Sequence, residues 1–255
     1  MAKVVEVPRG YYARTHEERY RAIIGSGAAF RERDMSQHVR PAWQAFVAAA
    51  GLPPDELGVE MGSGTGINAL CIASEGLPMA GLDISPTAAS RAGELAREWG
   101  VDARFVAGDM FAAPFPSGVF DFAVNVWTLH AVGEQELRDR SLAEMWRVLR
   151  PGGWAFLHNE RSRDDVRTDD VVTVETDTWN IGDRTVRLTR PDQSEVEVSV
   201  PGFMPEGLTG RRTLGEHVEE VERAGFDITR AEEQNVQPNP DVPENPMMFV
   251  FARKP

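Results

Sequence analysis

Cysteine is almost absent from this sequence: Cys71 is the single one in 255 residues. One thiol closes no disulfide within the chain, and such scarcity points to a reducing, cytoplasmic setting. Lysine is nearly as rare, with Lys3 and Lys254 alone. Positive charge as a whole is in deficit, since 27 basic against 40 acidic residues leave a formal net charge of −13. Such a field repels phosphate backbones and argues against nucleic acid as a partner. No apolar run approaches the ~20 residues that cross a bilayer, so no membrane span is expected. Met1 to Pro8 contain no apolar stretch of the kind a secretory leader needs. Repeats and low-complexity tracts are lacking too. His16, His38, His217 and Cys71 show no metal-ligand spacing, and no metal site is expected.

The remainder is globular material with 42% hydrophobic residues, and a chain of this length buries roughly three quarters of its unfolded surface. Residues 1–52 are rich in arginine and aromatics and read as mostly helical. Residues 53–158 alternate short apolar runs with amphipathic helices, the sign of a parallel sheet with crossovers. Strands are expected at Leu57–Met61, Met79–Asp83, Ala103–Val106, Val119–Val126 and Trp154–His158. Helices are expected after Gly66, after Ser85, and from about Glu134 to Leu149. Ser85 reads as an N-cap with Pro86 at the first helical position, and Ala88, Ala92, Leu95, Ala96 and Trp99 follow at helical spacing.

Within residues 159–210, the stretch 171–200 alternates around Val172, Val174, Val186, Leu188, Val196, Val198 and Val200, with turn signals at Gly182-Asp183 and Pro191-Asp192. This predicts short antiparallel strands inserted after the fifth strand. In residues 211–255 a helix from about Thr213 to Ala224 stops at Gly225. Strands near Ile228–Gln234 and Met247–Ala252 then flank a loop holding Pro238, Pro240, Pro243 and Pro246. Joined without a crossover helix, they are antiparallel. The fold class is α/β, a doubly wound sheet.

The strongest chemical signal is Glu60-Met61-Gly62-Ser63-Gly64-Thr65-Gly66, between the first strand and its helix. Glycine lets the backbone turn sharply and admits a ligand close to the main chain. A dinucleotide fingerprint wants its third glycine where this chain has Ile67, which speaks against a nicotinamide-dependent oxidoreductase. Asp83 ends the second strand, where a carboxylate can accept from both hydroxyls of a ribose. Asp109, in Gly108-Asp109-Met110, follows the third strand; alone it reads more readily as a turn aspartate. Glu144-Met145-Trp146-Arg147-Val148-Leu149-Arg150-Pro151-Gly152-Gly153 leads from a helix into the fifth strand. In this order, over residues 57–158, these segments closely resemble class I S-adenosyl-methionine-dependent methyltransferases of the small-molecule type. The likeness continues more weakly through Arg212-Thr213-Leu214, Val218, Val221 and Ala224-Gly225-Phe226. Residues 1–52 and 160–210 carry no matching motif.

The resemblance implies a Rossmann-like seven-stranded sheet with its last strand antiparallel, which agrees with the hairpin read from the pattern. It implies S-adenosyl-L-methionine as cofactor. It implies that Gly62, Ser63, Gly64 and Gly66 pass close to the methionine portion, with Glu60 orienting its ammonium. Asp83 would hold the ribose and Ile84 lie against the adenine. Asp109 and Met110 would recognise the adenine edge and cover its face, and Asn125 would lie near the amino-acid moiety. Glu60 stands where aspartate is frequent in the family, and Ser63 where cysteine or alanine is frequent. Residues 1–52 become a helical lid, 53–158 the cofactor-binding core, 159–210 a substrate cap, and 211–255 the helix and hairpin that complete the sheet. The leading reading is a cytoplasmic enzyme that methylates an oxygen or nitrogen of a small molecule, with specialised metabolism as its setting.

At the acceptor end the residues leave alternatives open. His130 suits a proton acceptor near neutrality and equally a packing histidine at a helix start. Trp127 and Thr128 follow strand four with it. Asn159 and Glu160 either fix a polar group of the substrate or begin a solvated loop. Tyr12 and Tyr20, like Tyr11, either close over the substrate or pack on the core. The inserted strands, with Trp179 and Phe203 nearby, set substrate choice or the contacts of a homodimer. A non-catalytic cofactor-binding or assembly protein on the same scaffold is the rival class, because fold does not establish activity.

Overall fold

The apolar runs pair as their pattern predicts. Strands β1 (Gly58–Met61), β2 (Met79–Asp83), β3 (Ala103–Ala107), β4 (Phe120–Val126) and β5 (Leu149–Glu160) are mutually parallel in the computed structural model. β6 (Asp183–Thr189) and β7 (Glu195–Pro201) form a separate antiparallel pair. β8 (Asp227–Val236) and β9 (Asn245–Arg253) complete a seven-stranded sheet of order β3-β2-β1-β4-β5-β9-β8, in which β9 is antiparallel to both neighbours. The structure describes residues 10–27, 35, 39–161, 183–190, 192, 194–201, 212–236 and 245–255. The expected strand around Val172 and Val174, together with Trp179, Phe203, His38, Pro238, Pro240 and Pro243, lies outside them. Among the described residues no helix is long and apolar enough to cross a membrane.

Alternation along the strands sorts the side chains onto two faces. Phe122, Val124, Phe156, Phe249 and Phe251 meet α2 (Val39–Ala50) and α3 (Ile67–Ser74) on one face. Ala123, Ala155, Leu157, Val250 and Ala252 meet α5 (Gln135–Val148) and α6 (Leu214–Arg223) on the other. β1 is buried along its whole length, as a central parallel strand covered on both faces must be. α4 (Pro86–Trp99) begins as expected, with the Ser85 hydroxyl accepting from the Ala88 N–H and Pro86 in the first turn.

The two helices within residues 1–52 take different places. α2 is core: Trp43 and Phe46 are fully buried among Phe122, Phe156 and Phe251. α1 (Tyr11–Gly25) lies over the carboxyl edge of the sheet instead. Its Glu17 carboxylate accepts from Ser85 Oγ (2.6 Å), Thr87 N (3.1 Å) and Thr87 Oγ1 (2.6 Å), a tether to the start of α4. Its Ile23 packs on Val198 and Val200, and Arg190 Nε donates to the Ser26 carbonyl at 3.0 Å, so the β6–β7 hairpin rides on α1.

The structure shifts several boundaries, those of β4 and β5 among them. β4 starts at Phe120, and Val119, expected inside it, precedes it and is 42% exposed. β5 begins at Leu149, earlier than expected, because the Pro151-Gly152-Gly153 segment bulges without leaving the sheet. Gly152 adopts φ 77°; its N–H donates to the Lys254 carbonyl, and the Lys254 N–H to the Gly153 carbonyl, each at 2.8 Å. Proline has no N–H to lose there.

Candidate functional site

The chain leaves β1 at Met61 and reverses through Gly62-Ser63-Gly64-Thr65-Gly66 into α3. Gly62 has φ 81° and a Cβ there would sit 2.3 Å from Thr128 Cγ2; Gly64 has φ 55° and a Cβ would sit 2.4 Å from the Tyr20 hydroxyl. Both the left-handed backbone and the close neighbours require glycine. The neighbouring strand holds the turn: Gly62 N and Ser63 N donate to the Leu82 carbonyl (2.7 and 2.9 Å), and Gly64 N donates to Asp83 Oδ2 (2.7 Å). The other Asp83 oxygen accepts from Ser85 N at 2.9 Å. Glu60 accepts from Asn68 Nδ2 (2.9 Å) and Ala69 N (3.1 Å), both on α3.

Glu60 and Asp83 are 1% and 6% exposed, on adjacent strands. Burial disfavours their charged forms and outweighs those hydrogen bonds. It pushes Glu60 up to about 8 and Asp83 up to about 6. Asp83 adds to the rise at Glu60 by repulsion, and Glu17 to that at Asp83.

Both carboxylates line a cavity of about 260 Å³. Gly62, Ser63 and Gly64 form its floor beside them, and His16, Arg19 and Tyr20 of α1 cover it. Trp127, Thr128, His130 and Glu160 wall it from the tips of β4 and β5. A smaller recess of about 40 Å³ lies between Tyr12, Ile84, Asp109, Met110 and Phe111. The two share His16, Gly62, Asp83, Thr128 and Ala131, so they form one crevice along the carboxyl edge. This is where open α/β sheets bind ligands.

Most of the residues singled out from sequence thus come together, though not all of them line the crevice. Gly66 sits behind the turn as the N-cap of α3. Asn125 is 1% exposed; its Nδ2 donates to the Met61 carbonyl (3.0 Å) and its Oδ1 accepts from Leu129 N (3.2 Å). Asn159 Oδ1 accepts from His130 N at 3.3 Å, and the residue lines neither cavity. Asp109 lines the recess and also fills the turn role, accepting from Phe111 N at 2.8 Å. The Tyr12 hydroxyl donates to Glu134 at 2.5 Å and accepts from Gly133 N at 3.2 Å, fixing α1 over the recess.

His16, named from sequence only among the residues without metal-ligand spacing, lines both cavities. The signal was helical spacing, since Tyr12, His16 and Tyr20 fall on one face of α1. Burial, with Arg19 beside it, lowers the His16 pKa to about 4, so the ring is neutral at pH 7. Burial pushes the Tyr20 phenol up, and it stays protonated. Trp127 has φ 55° at the β4 tip, a conformation costly for a side chain of its size. Its N–H donates to the His158 carbonyl at 2.8 Å, which holds it there.

Residues 59–157 match the methyltransferase domain family. A 2-methyl-6-phytyl-1,4-hydroquinone methyltransferase from Synechocystis is 33% identical over 115 residues, 45% of this chain and 35% of that protein. A demethylmenaquinone methyltransferase from Thermus thermophilus is 32% identical over 97 residues, 37% of this chain and 43% of the other. The chain therefore spans well under half the length of these relatives. A sarcosine/dimethylglycine N-methyltransferase from Halorhodospira halochloris is 28% identical over 174 residues, 64% of this chain and 61% of that one. Among solved structures, the cyclase SpnF superposes with a TM-score of 0.66 at 18% identity, covering 100% of this chain and 98% of its own. A Burkholderia thailandensis 1,6-didemethyltoxoflavin-N1-methyltransferase bound to S-adenosylhomocysteine gives 0.63 at 19% identity, covering 100% and 93%. At such identities these two likenesses concern the fold. The domain match falls on the strands that bear the glycine turn and both buried carboxylates, so residues 59–157 are similar to the methyltransferase domain family, and the fold is one shared with S-adenosyl-methionine-dependent methyltransferase structures.

Proposed function

We propose that this protein transfers the methyl group of S-adenosyl-L-methionine to an oxygen or nitrogen of a small-molecule acceptor, in the cytoplasm. One observation carries the reading: Glu60 and Asp83, buried at neighbouring strand tips, face one crevice across a glycine turn. The residues present fit the cofactor. On that turn Gly62 and Gly64 line the cavity without a side chain, so a ligand can approach the main chain closely. An ammonium suits Glu60, ribose hydroxyls suit the lone pairs left on Asp83, and adenine suits the recess between Ile84 and Met110. Relatives named for a hydroquinone and for sarcosine support a small acceptor.

When bound, the cofactor supplies a methyl group on a positively charged sulfur, an electrophile that needs no further activation. What the chain contributes is alignment and exclusion of water. Tyr20 and Arg19 cover the cavity while Trp127, His130 and Glu160 wall the acceptor end. His130 is the group we assign to accept a proton from an acceptor that arrives protonated. Isothermal titration is expected to show binding of S-adenosylmethionine and of S-adenosylhomocysteine, and labelled methyl is expected to pass to a small molecule. Absence of binding removes this reading. Binding without transfer to any acceptor replaces it with a non-catalytic one.

Glu60 gives the reading a pH signature. Folding raises its pKa from 4.5 to about 8, so the native state keeps a proton that the unfolded chain has released. Stability of the ligand-free protein should therefore fall as pH rises from 4.5 toward 8, and Asp83 adds the same trend between 3.8 and about 6. An ammonium at Glu60 favours the carboxylate, so binding expels the proton. Affinity for S-adenosylhomocysteine is expected to climb by up to about tenfold per pH unit on approaching pH 8. Titrations at pH 7 in phosphate and in Tris should give different heats, and identical heats would contradict proton release.

A further inference from the structure

Beyond β4 the chain makes a short 3₁₀ turn, Leu129–Ala131, which presents His130 and Ala131 to the cavity. Side chains hold the backbone of this turn from several directions. Leu129 N and His130 N donate to Asn125 and Asn159, as described above. Its carbonyls are held from elsewhere: Arg138 Nη1 donates to the Leu129 carbonyl and, at 3.2 Å, to that of Val132. The other two guanidinium nitrogens fork onto Glu220 of α6, with Nε to Oε2 at 2.9 Å and Nη2 to Oε1. Glu220 Oε1 also meets His217 Nδ1 at 2.5 Å, and Gln135 Nε2 donates to Oε2 at 3.4 Å.

Arg138 and Glu220 are each 1% exposed, and His217 is fully buried. An ion pair this deep is poorly explained by stability, because apolar residues of similar volume usually serve as well or better. Its geometry supplies another reason. A guanidinium is a rigid planar fork, able to take a carboxylate on one edge and carbonyls on the other. Glu220 fixes the plane of Arg138, and Arg138 in turn fixes where the 3₁₀ turn can sit. None of Arg138, Glu220 and His217 lines either cavity.

We propose that Arg138, oriented by Glu220, is a positioning residue for methyl transfer: it locks the Leu129–Val132 backbone so that His130 meets the acceptor. The inference rests on the methyltransferase reading, but its first readout does not. The double variant Arg138→Met/Glu220→Met removes both charges and leaves neither buried alone. Amide hydrogen exchange at residues 128–132 is expected to quicken at least about tenfold, while amides of β1 and β4 keep their protection. Labelled methyl transfer should fall about tenfold or more at saturating S-adenosylmethionine, a condition that sets aside any loss of affinity through Thr128, Ala131 and Val132, which line the crevice. Unchanged exchange at 128–132 would overturn the proposal and leave the pair as core filling. Faster exchange with undiminished transfer would overturn it too. Failure of the wild type to bind S-adenosylhomocysteine would instead strike the methyltransferase reading, and the exchange result would stand apart from it. Should the double variant not fold, Arg138→Lys carries the same comparison, since one ammonium keeps the charge but cannot span the carboxylate and both carbonyls. Faster exchange at 128–132 with slower transfer at saturating cofactor supports positioning, and wild-type exchange refutes it.

Discussion

Replacing Asp83 with alanine is expected to weaken S-adenosylhomocysteine binding by about 100-fold or more, the largest change on affinity that any one substitution here should bring. Its carboxylate has two tasks. It offers its remaining lone pairs to the ligand, and charge-assisted hydrogen bonds in a buried site are worth about 1.5–3 kcal/mol each. It also braces the glycine turn through Gly64 N and caps the chain through Ser85 N. The alanine variant leaves both N–H groups without that acceptor, and the turn shifts just where a ligand must approach the backbone. Asp83→Asn keeps the size but replaces one acceptor oxygen with a donor, so it should fall between the two. Titration calorimetry on variants whose far-ultraviolet dichroism matches wild type decides the matter. Affinity within threefold of wild type for the alanine variant would mean that the crevice does not bind as proposed.

The largest loss of stability should follow from Trp43→Ala, at about 3–5 kcal/mol. Trp43 is fully buried, with ring centroids 5.4 Å from Phe46 and 5.8 Å from both Phe122 and Phe156. Its Nε1 donates to Glu75 at 2.9 Å, which ties α2 to the end of α3 as well as to the sheet. Truncation leaves a void among rigid rings that cannot collapse into it, and removes the edge and tilted contacts they make. Urea denaturation with an unchanged slope is the measurement. A loss under 1 kcal/mol would show that α2 is docked by other contacts. Ligand affinity should survive the substitution, because α2 forms no part of the crevice.

Much of this architecture was legible because its causes are local. Strand β1, the glycine turn and α3 follow from an apolar run, glycines at positive φ and helical spacing. Ser85 and Pro86 announced α4 by capping chemistry alone. Asp83 and Glu60 could be named because strand tips are fixed once the strands are. What escaped depends on partners far along the chain. Arg138 looks like one more charged residue on an amphipathic helix, and only the packing of α6 reveals that it is buried against Glu220. Asn125 was expected near the ligand, and Asn159 was left open between a substrate contact and a solvated loop; neither lines the crevice, and both hold Leu129–His130. Polar side chains near a site serve a ligand or the wall around it, and residue type does not separate the two. The bulged opening of β5 was missed because Pro151-Gly152-Gly153 signals a turn locally, while Lys254 from the last strand draws it into the sheet.

The placement of β9 constrains the order in which this molecule can be assembled. Among the described residues β8 pairs as a strand only with β9, which is made after it and slots between β8 and β5. A nascent chain that has just made β8 has no neighbour waiting for it, while β5 shows an open edge along Trp154–Glu160. That edge invites foreign strands. Closure then depends on a late, long-range pairing, the slow class of event in folding. Substitutions that weaken β9 should therefore appear first as poor yield and aggregation during synthesis, in protein whose crevice-forming segments are already complete.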